Sequence, residues 1–303
     1  MVWRGDKVLN LYFAGWGSKD ADAYLRTKKA HRLLSQANEK RVIEGWVEDG
    51  LADRLFIDSG AFTVAHSGAK LDINDYIAYI ESYPDIKNWA ELDVIPYPVL
   101  NAETAKDCSQ ASWDNYLYMK KHIKSDCNIL PIYHFGEPED GLRRILNTEV
   151  DGKLVDYIGV GGRHGVSTDE QIKYFHEVFS IISSSDNPNV KVHAFGITVP
   201  KILQSFPFYS ADSTLWLQAA INGYILAEDT LLHIIIGQRL SHHDSHDSIS
   251  DMLIPTISKY GYDLNELRAD YKLRLRYNID IMLNWEKHYT YKGQTSFKSQ
   301  RLF

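Results

Sequence analysis

Cysteine is nearly missing from this chain: Cys108 and Cys127 are the only two in 303 residues. That is too few for a disulfide framework and short of a four-cysteine zinc site, so both are expected to be buried thiols acting as small hydrophobes. Positive charge is not in excess either, with 33 Lys and Arg against 40 Asp and Glu and a net charge of −7. The chain as a whole is no polycation, and any nucleic-acid surface has to be a local patch. No apolar run approaches the ~20 residues of a membrane span, and Met1–Asp6 leads into no secretory segment. A soluble, cytoplasmic protein with no membrane partner is expected. There is also no internal repeat, low-complexity tract or Pro/Gly/Ser linker to divide the chain. What is present, 44% hydrophobic residues, supports one large core in a single domain spanning 1–303, somewhat longer than the roughly 250 residues usual for an eightfold barrel.

Five segments run an apolar stretch straight into a carboxylate or a glycine pair: Leu55-Phe56-Ile57-Asp58-Ser59-Gly60, Trp89-Ala90-Glu91-Leu92-Asp93, Tyr157-Ile158-Gly159-Val160-Gly161-Gly162, Val192-His193-Ala194-Phe195-Gly196 and Tyr209-Ser210-Ala211-Asp212-Ser213. A parallel barrel concentrates chemistry at the carboxyl ends of its strands, so this recurrence reads as several loops converging on one pocket. Strands are expected at Val8–Ala14, Leu55–Ile57, Trp89–Val94, Asn128–Tyr133, Tyr157–Val160, Val190–Phe195 and Tyr209–Ala211. Between them lie helical patterns, among them Ala21–Lys40, a helix opened by Asp72, and one opened by a Thr168/Gln171 capping box. Such alternation implies parallel strands with crossover helices, and the scatter of functional loops favours a (β/α)8 barrel over an open sheet with one switch point. Leu231–Ile236 reads either as an eighth strand or as a continuing helix. Residues 264–303 read as a C-terminal helix followed by a basic, aromatic tail.

Asp58 and Asp212 are the leading catalytic candidates. Two carboxylates in one pocket divide the labour of glycosidic exchange, one attacking the anomeric carbon and the other handling the proton, with no metal and no organic cofactor required. Gly161-Gly162 lets backbone lie against a planar ligand such as a nucleobase, with Phe62 as a stacking partner. No Lys-Ser or Lys-Thr follows at P-loop spacing, which argues against a phosphate loop. His242, His246 and Asp247 lie in the one stretch with metal-like residue types, but no fourth ligand is evident, and a polar loop holding no metal is expected.

Taken in order, these motifs resemble the tRNA-guanine transglycosylases over roughly residues 55 to 225. Asp58-Ser59-Gly60-Ala61-Phe62 looks like their Asp-Ser-Gly-Gly-Phe/Tyr element, and Asp93 with Pro96-Tyr97-Pro98 is similar to their Asp-Glu-Cys-Thr-Pro-Tyr-Pro element. Gly161-Gly162 matches the glycine pair, His193-Ala194-Phe195-Gly196 resembles the His-Leu-Met-Gly strand, Asp212 falls at the nucleophile, and Asn222-Gly223 lies at the family's distance beyond it. The resemblance implies a base exchange on a (β/α)8 barrel. Asp212 would be the nucleophile and Asp58 the general acid and base. Asp93, Ser59, Phe62, Gly161, Gly162 and His193 would bind the base.

The chain also departs from that pattern. The region after Asp212 has no cysteines for the family's zinc site, Gln218 stands where an Arg follows the nucleophilic loop, and Ile132-Tyr133-His134-Phe135-Gly136 replaces a Gly-x-x-Gln-Gly-Gly strand end. His134 is either the substitute for the base-reading Gln or a structural histidine. A compact, zinc-free relative is most similar to the DpdA-type enzymes of bacteriophages, which place 7-deazaguanines in DNA and would work in the host cytoplasm. DNA is therefore the expected polymer and tRNA the alternative, with a 7-deazaguanine as the small substrate; a non-catalytic nucleic-acid-binding barrel is the reading of another class. Lys287, Lys292, Lys298 and Arg301, interleaved with aromatic residues near the carboxyl end, are the expected nucleic-acid anchor. The oligomeric state is left open.

Overall fold

A computed structural model describes residues 9–36, 39–61, 71–95, 101–162, 165–197, 199–236 and 246–293, the side chains of 246–252 excepted. Its centre is a (β/α)8 barrel. The strands are β1 Asn10–Ala14, β2 His31–Ser35, β3 Leu55–Asp58, β4 Asn88–Ala90, β5 in two pieces (Asn128–Leu130 and Ile132–Tyr133), β6 Tyr157–Gly161, β7 Lys191–Phe195 and β8 Ser210–Ser213. All pair in parallel, β1 lies between β2 and β8, and the ring closes through β5. The first piece of β5 pairs with β4 and the second with β6. Pro131 separates the pieces because it has no N–H to give the ladder. The carboxylate of Glu91 stands in on the other side of the gap, where its Oε1 accepts from Ile132 N at 2.7 Å.

Period-two alternation decides which side chains enter the barrel. Tyr12, Leu33, Phe56, Ala90, Leu130, Ile132 and Tyr157 form a buried cluster inside it, with Phe195 packed against them. Their strand neighbours Leu11, Phe13, Leu34, Ile57, Trp89, Ile129, Ile158, Val160 and Val192 face outward into a second, larger cluster beneath the helices. The interior is crowded with rings. A Cβ on Gly159 would lie 2.4 Å from Phe195 Cε2, so glycine there is the space that the phenylalanine ring occupies.

The outer layer comprises α1 Lys19–Thr27, α2 Lys40–Glu48, α3 Ile73–Glu81, α4 Ala102–His122, α5 Glu139–Asn147, α6 Thr168–Ser183, α7 Pro200–Ser205 and α8 Leu215–Ile221. Side-chain caps open several of them, including Ser18 on α1, Asp72 on α3 and the Asn101/Thr104 box on α4. Beyond the barrel come an antiparallel hairpin of β9 Tyr224–Leu226 and β10 His233–Ile235, then α9 His246–Lys259, α10 Leu264–Ala269 and α11 Tyr271–Lys287. Helix α8 has only seven residues, and α11 packs beside it and α1 to complete the coat. Asn278 Oδ1 accepts from Leu226 N at 2.9 Å, Arg274 Nε donates to Ala220 O at 2.9 Å, and Asp280 accepts the hydroxyls of Tyr24 and Tyr262.

Four local expectations change. Ala21–Lys40 is not one helix but α1, then β2, then the start of α2. The fully buried Arg32 disguises β2 as a polar helix face. Its guanidinium donates to Phe13 O and Gly15 O between the barrel wall and Trp216. The eighth barrel strand is therefore β2, while Leu231–Ile236 supplies the hairpin strand β10. The cap of α6 is one residue earlier than expected, a Ser167/Glu170 box, and the long C-terminal helix breaks at Asp270, which caps α11.

Candidate active site

The carboxyl ends of five strands supply one constellation. Asp58 ends β3, Asp93 follows β4, His134 follows β5, Gly161 ends β6 and Asp212 lies in β8. Ser59 Oγ donates to Asp93 Oδ1 at 2.9 Å, and His134 Nε2 lies 3.0 Å from Asp93 Oδ2, so each oxygen of Asp93 has its own polar neighbour. Ser59 itself is oriented by Ala61 N, which donates to its Oγ at 3.1 Å.

Burial and then the charge of Asp93 push the Asp58 carboxyl up to about 7, with an opposing bond from Gly60 N and smaller contributions from Asp212 and Glu39. Asp58 thus carries a proton for a large part of the time at neutral pH, as a general acid must. Asp58 also feels the charge of Asp212, which lies at the same end of the barrel. Burial pulls His134 toward its neutral form, but Asp93 and Glu137 overcome it, and the imidazole holds its proton more tightly than usual. The Glu39, Glu91 and Glu137 carboxyls are all raised by burial, Glu91 furthest of the three.

Asp212 is held differently. Its Oδ1 accepts from Gly196 N at 2.9 Å and lies 3.2 Å from His193 Nε2. Oδ2 has no hydrogen-bond partner among the described residues. His193 is expected from the sequence to touch the base, and the structure corrects this. The ring is 0% exposed, with Nδ1 against Ser210 Oγ at 2.5 Å and Phe56 and Phe195 packed on it at centroid distances of 4.7 and 4.4 Å. It supports Asp212 from below.

The glycine pair has packing reasons of its own. A Cβ on Gly161 would stand 3.0 Å from His134 Nδ1, and one on Gly162 would stand 2.5 Å from Ile197 Cδ1. Gly161 is thus the opening that lets His134 reach Asp93. Beside Asp58 lies a hollow of about 440 Å³ lined by Gly15, Trp16, Leu33, Ser35 and Glu39. That volume is in the range of small-ligand sites, roughly 300–1,000 Å³. A second cleft, about 240 Å³, is lined by Tyr116, Cys127, Asp156 and Tyr157 among others. It lies at the opposite end of the barrel from the carboxylates and plays no part in their chemistry.

Lys287 and Lys292 also lie at that opposite end. Glu286 accepts from Leu11 N at the start of β1, and Lys292 N donates to Gln204 O at the far end of α7. The described part of the expected anchor therefore does not border the carboxylate pocket, because α11 runs down the barrel and delivers its end to the amino-terminal face. Phe62, Pro96–Pro98, Lys298, Arg301 and His242 lie outside the described residues, as do the side chains of His246 and Asp247. Among the described residues there is no group of three or more His, Cys, Asp or Glu placed to hold a metal ion, and no helix long and apolar enough to cross a membrane.

Sequence reasoning passed over Glu39, Glu91, Glu137 and Ser210. Glu91 and Ser210 stand inside motifs already singled out, and their position one strand step from Asp93 and Asp212 was the available signal. Glu39 and Glu137 follow strands at the same end of the barrel, but no apolar run leads into them. No known protein family matches the chain, and no curated protein matches it.

Proposed function

We propose that the protein exchanges guanine in DNA for a 7-deazaguanine base through a covalent glycosyl-aspartate. The observation carrying this reading is that Asp212, held at Oδ1 by Gly196 N and His193, and a proton-holding Asp58 stand at the carboxyl ends of strands of one barrel. Asp212 Oδ2 attacks C1′, the C1′–N9 bond breaks, and the Asp58 proton passes to the departing purine nitrogen. The incoming base then returns a proton to Asp58 as its nitrogen displaces the aspartate, and two displacements retain the configuration at C1′. Asp93 accepts from the N–H groups of the purine's amidine edge, with Ser59 holding one of its oxygens. His134, which holds its proton more tightly than usual beside Asp93, donates to the carbonyl of a 6-oxopurine.

A base inside duplex DNA is out of reach of such a recessed pair, so the nucleotide has to leave the stack, at a cost of a few kcal/mol that pocket contacts offset. The test is incorporation of labelled guanine into duplex DNA, single-stranded DNA and tRNA. Label entering DNA supports the proposal; label entering tRNA assigns the same chemistry to the other polymer; label entering neither, with retained binding, leaves a nucleic-acid-binding barrel.

A further inference from the structure

We propose that His193 is a positioning residue for Asp212, locked as the tautomer protonated at Nε2 by a hydrogen-bond chain through Ser210 and Tyr157. The inference deepens the base-exchange reading and rests on it. Four buried groups stand in line inside the barrel: Tyr157 OH lies 2.5 Å from Ser210 Oγ, Ser210 Oγ lies 2.5 Å from His193 Nδ1, and His193 Nε2 lies 3.2 Å from Asp212 Oδ1. Donors and acceptors can be assigned from one end to the other. The Asp212 carboxylate only accepts, so Nε2 must donate. Burial favours the neutral ring over the imidazolium even against the attraction of Asp212, which leaves Nδ1 bare and accepting. Ser210 therefore gives its proton to Nδ1 and accepts from Tyr157, a phenol that burial keeps protonated.

The rings of Tyr12, Phe56 and Phe195 enclose the imidazole, so neither a ring flip nor water can supply a different donor set. The result for the nucleophile is geometric. Two donors, His193 Nε2 and Gly196 N, converge on Oδ1, and Oδ2 is left as the attacking oxygen with a fixed direction. A chain of neutral hydrogen bonds also holds the carboxylate without the counter-charge that a buried imidazolium would bring, which would blunt its nucleophilicity.

The test has a readout that does not depend on activity. With 15N-labelled histidine, the His193 signals, assigned by their loss in His193→Gln, should show a protonated Nε2 and a bare Nδ1 at neutral pH; Ser210→Ala should yield a mixture of tautomers. In base exchange, His193→Leu should lower kcat by about a hundredfold, as loss of an oriented donor does, with KM for the polymer unchanged. His193→Gln, whose amide N–H reaches the Nε2 position, should restore most of that loss. A doubly protonated or Nδ1-protonated ring overturns the relay, and a His193→Leu protein that exchanges base at the normal rate overturns the positioning role. If the unaltered protein exchanges no base on any polymer, the functional reading fails and takes the positioning role with it, while the tautomer still decides the relay.

Discussion

The two ends of this barrel are built from the same eight strands, yet they bury polar groups on different terms. At the amino-terminal end several polar groups find partners locally. Glu286 takes the free N–H of Leu11, Lys191 lies over the Tyr209 ring, and Tyr289 OH donates to Leu203 O. At the carboxyl-terminal end Asp58, Asp93, Asp212, Glu39, Glu91 and Glu137 are brought together with two histidines and no lysine or arginine ion pair among the described residues. Like charges crowded out of water raise one another's proton affinity. One end pairs its polar groups locally, and the other gathers buried acids at a cost that the proposed base exchange would account for.

The comparison can be broken at either end. The largest effect should come from Asp212→Asn, which is expected to lower base exchange by at least about a thousandfold in a folded protein, read with labelled guanine. Asp58→Asn should lower the rate by about a hundredfold or more. It should also raise the melting temperature, more at pH 8 than at pH 5. Asp58 is raised to about 7 when folded, so the penalty for keeping it builds as pH rises from the ordinary carboxylate range to about 7 and is fully present above that, and the gain from removing it follows the same course. A melting temperature that falls equally at both pH values would contradict the account of Asp58 as a strained acid.

Beneath the site, Leu130 is 0% exposed inside the barrel. Leu130→Ala should cost about 2–5 kcal/mol in denaturant unfolding, with kcat of the folded fraction nearly intact. A smaller effect is the pH limb. Formation of the covalent intermediate should decline as pH rises through about 7, the point at which Asp58 gives up its proton, and single-turnover trapping should show that limb absent in Asp58→Asn. The smallest effect should be that of Lys287→Gln with Lys292→Gln. Both residues stand at the end remote from the pocket, so the salt dependence of exchange should be unchanged; a flattened slope would return them to the nucleic-acid surface.

Much of this was legible in the order of residues. Apolar runs ending in Asp58, Asp93 and Asp212 gave the barrel and the end at which these acids gather, because side chains at strand termini are placed by backbone geometry alone. The second strand was not legible: Arg32 looks like a surface residue, and only the three-dimensional structure shows the carbonyls of Phe13 and Gly15 waiting for it. His193 illustrates another limit. Its type and place in a motif signal chemistry, but whether it faces the hollow or stands behind Asp212 depends on Phe56 and Phe195, rings contributed by two separate strands. The position of the end of α11 was not legible for a similar reason, since charge and aromaticity say what a segment can bind and not which face of the barrel receives it.

Pro131 carries a consequence for how the whole ring holds together. A closed barrel has no free edge, but here one link in its circumference is a carboxyl group on a side chain, Glu91, bonded to Ile132 N. The wall that presents His134 is thus fastened by an acid that burial makes reluctant to ionise. Slow amide exchange should locate the seam: in Glu91→Ala, residues 132–134 should lose protection ahead of the rest of the barrel, and the imidazole above them should lose its aim at Asp93 while the fold persists.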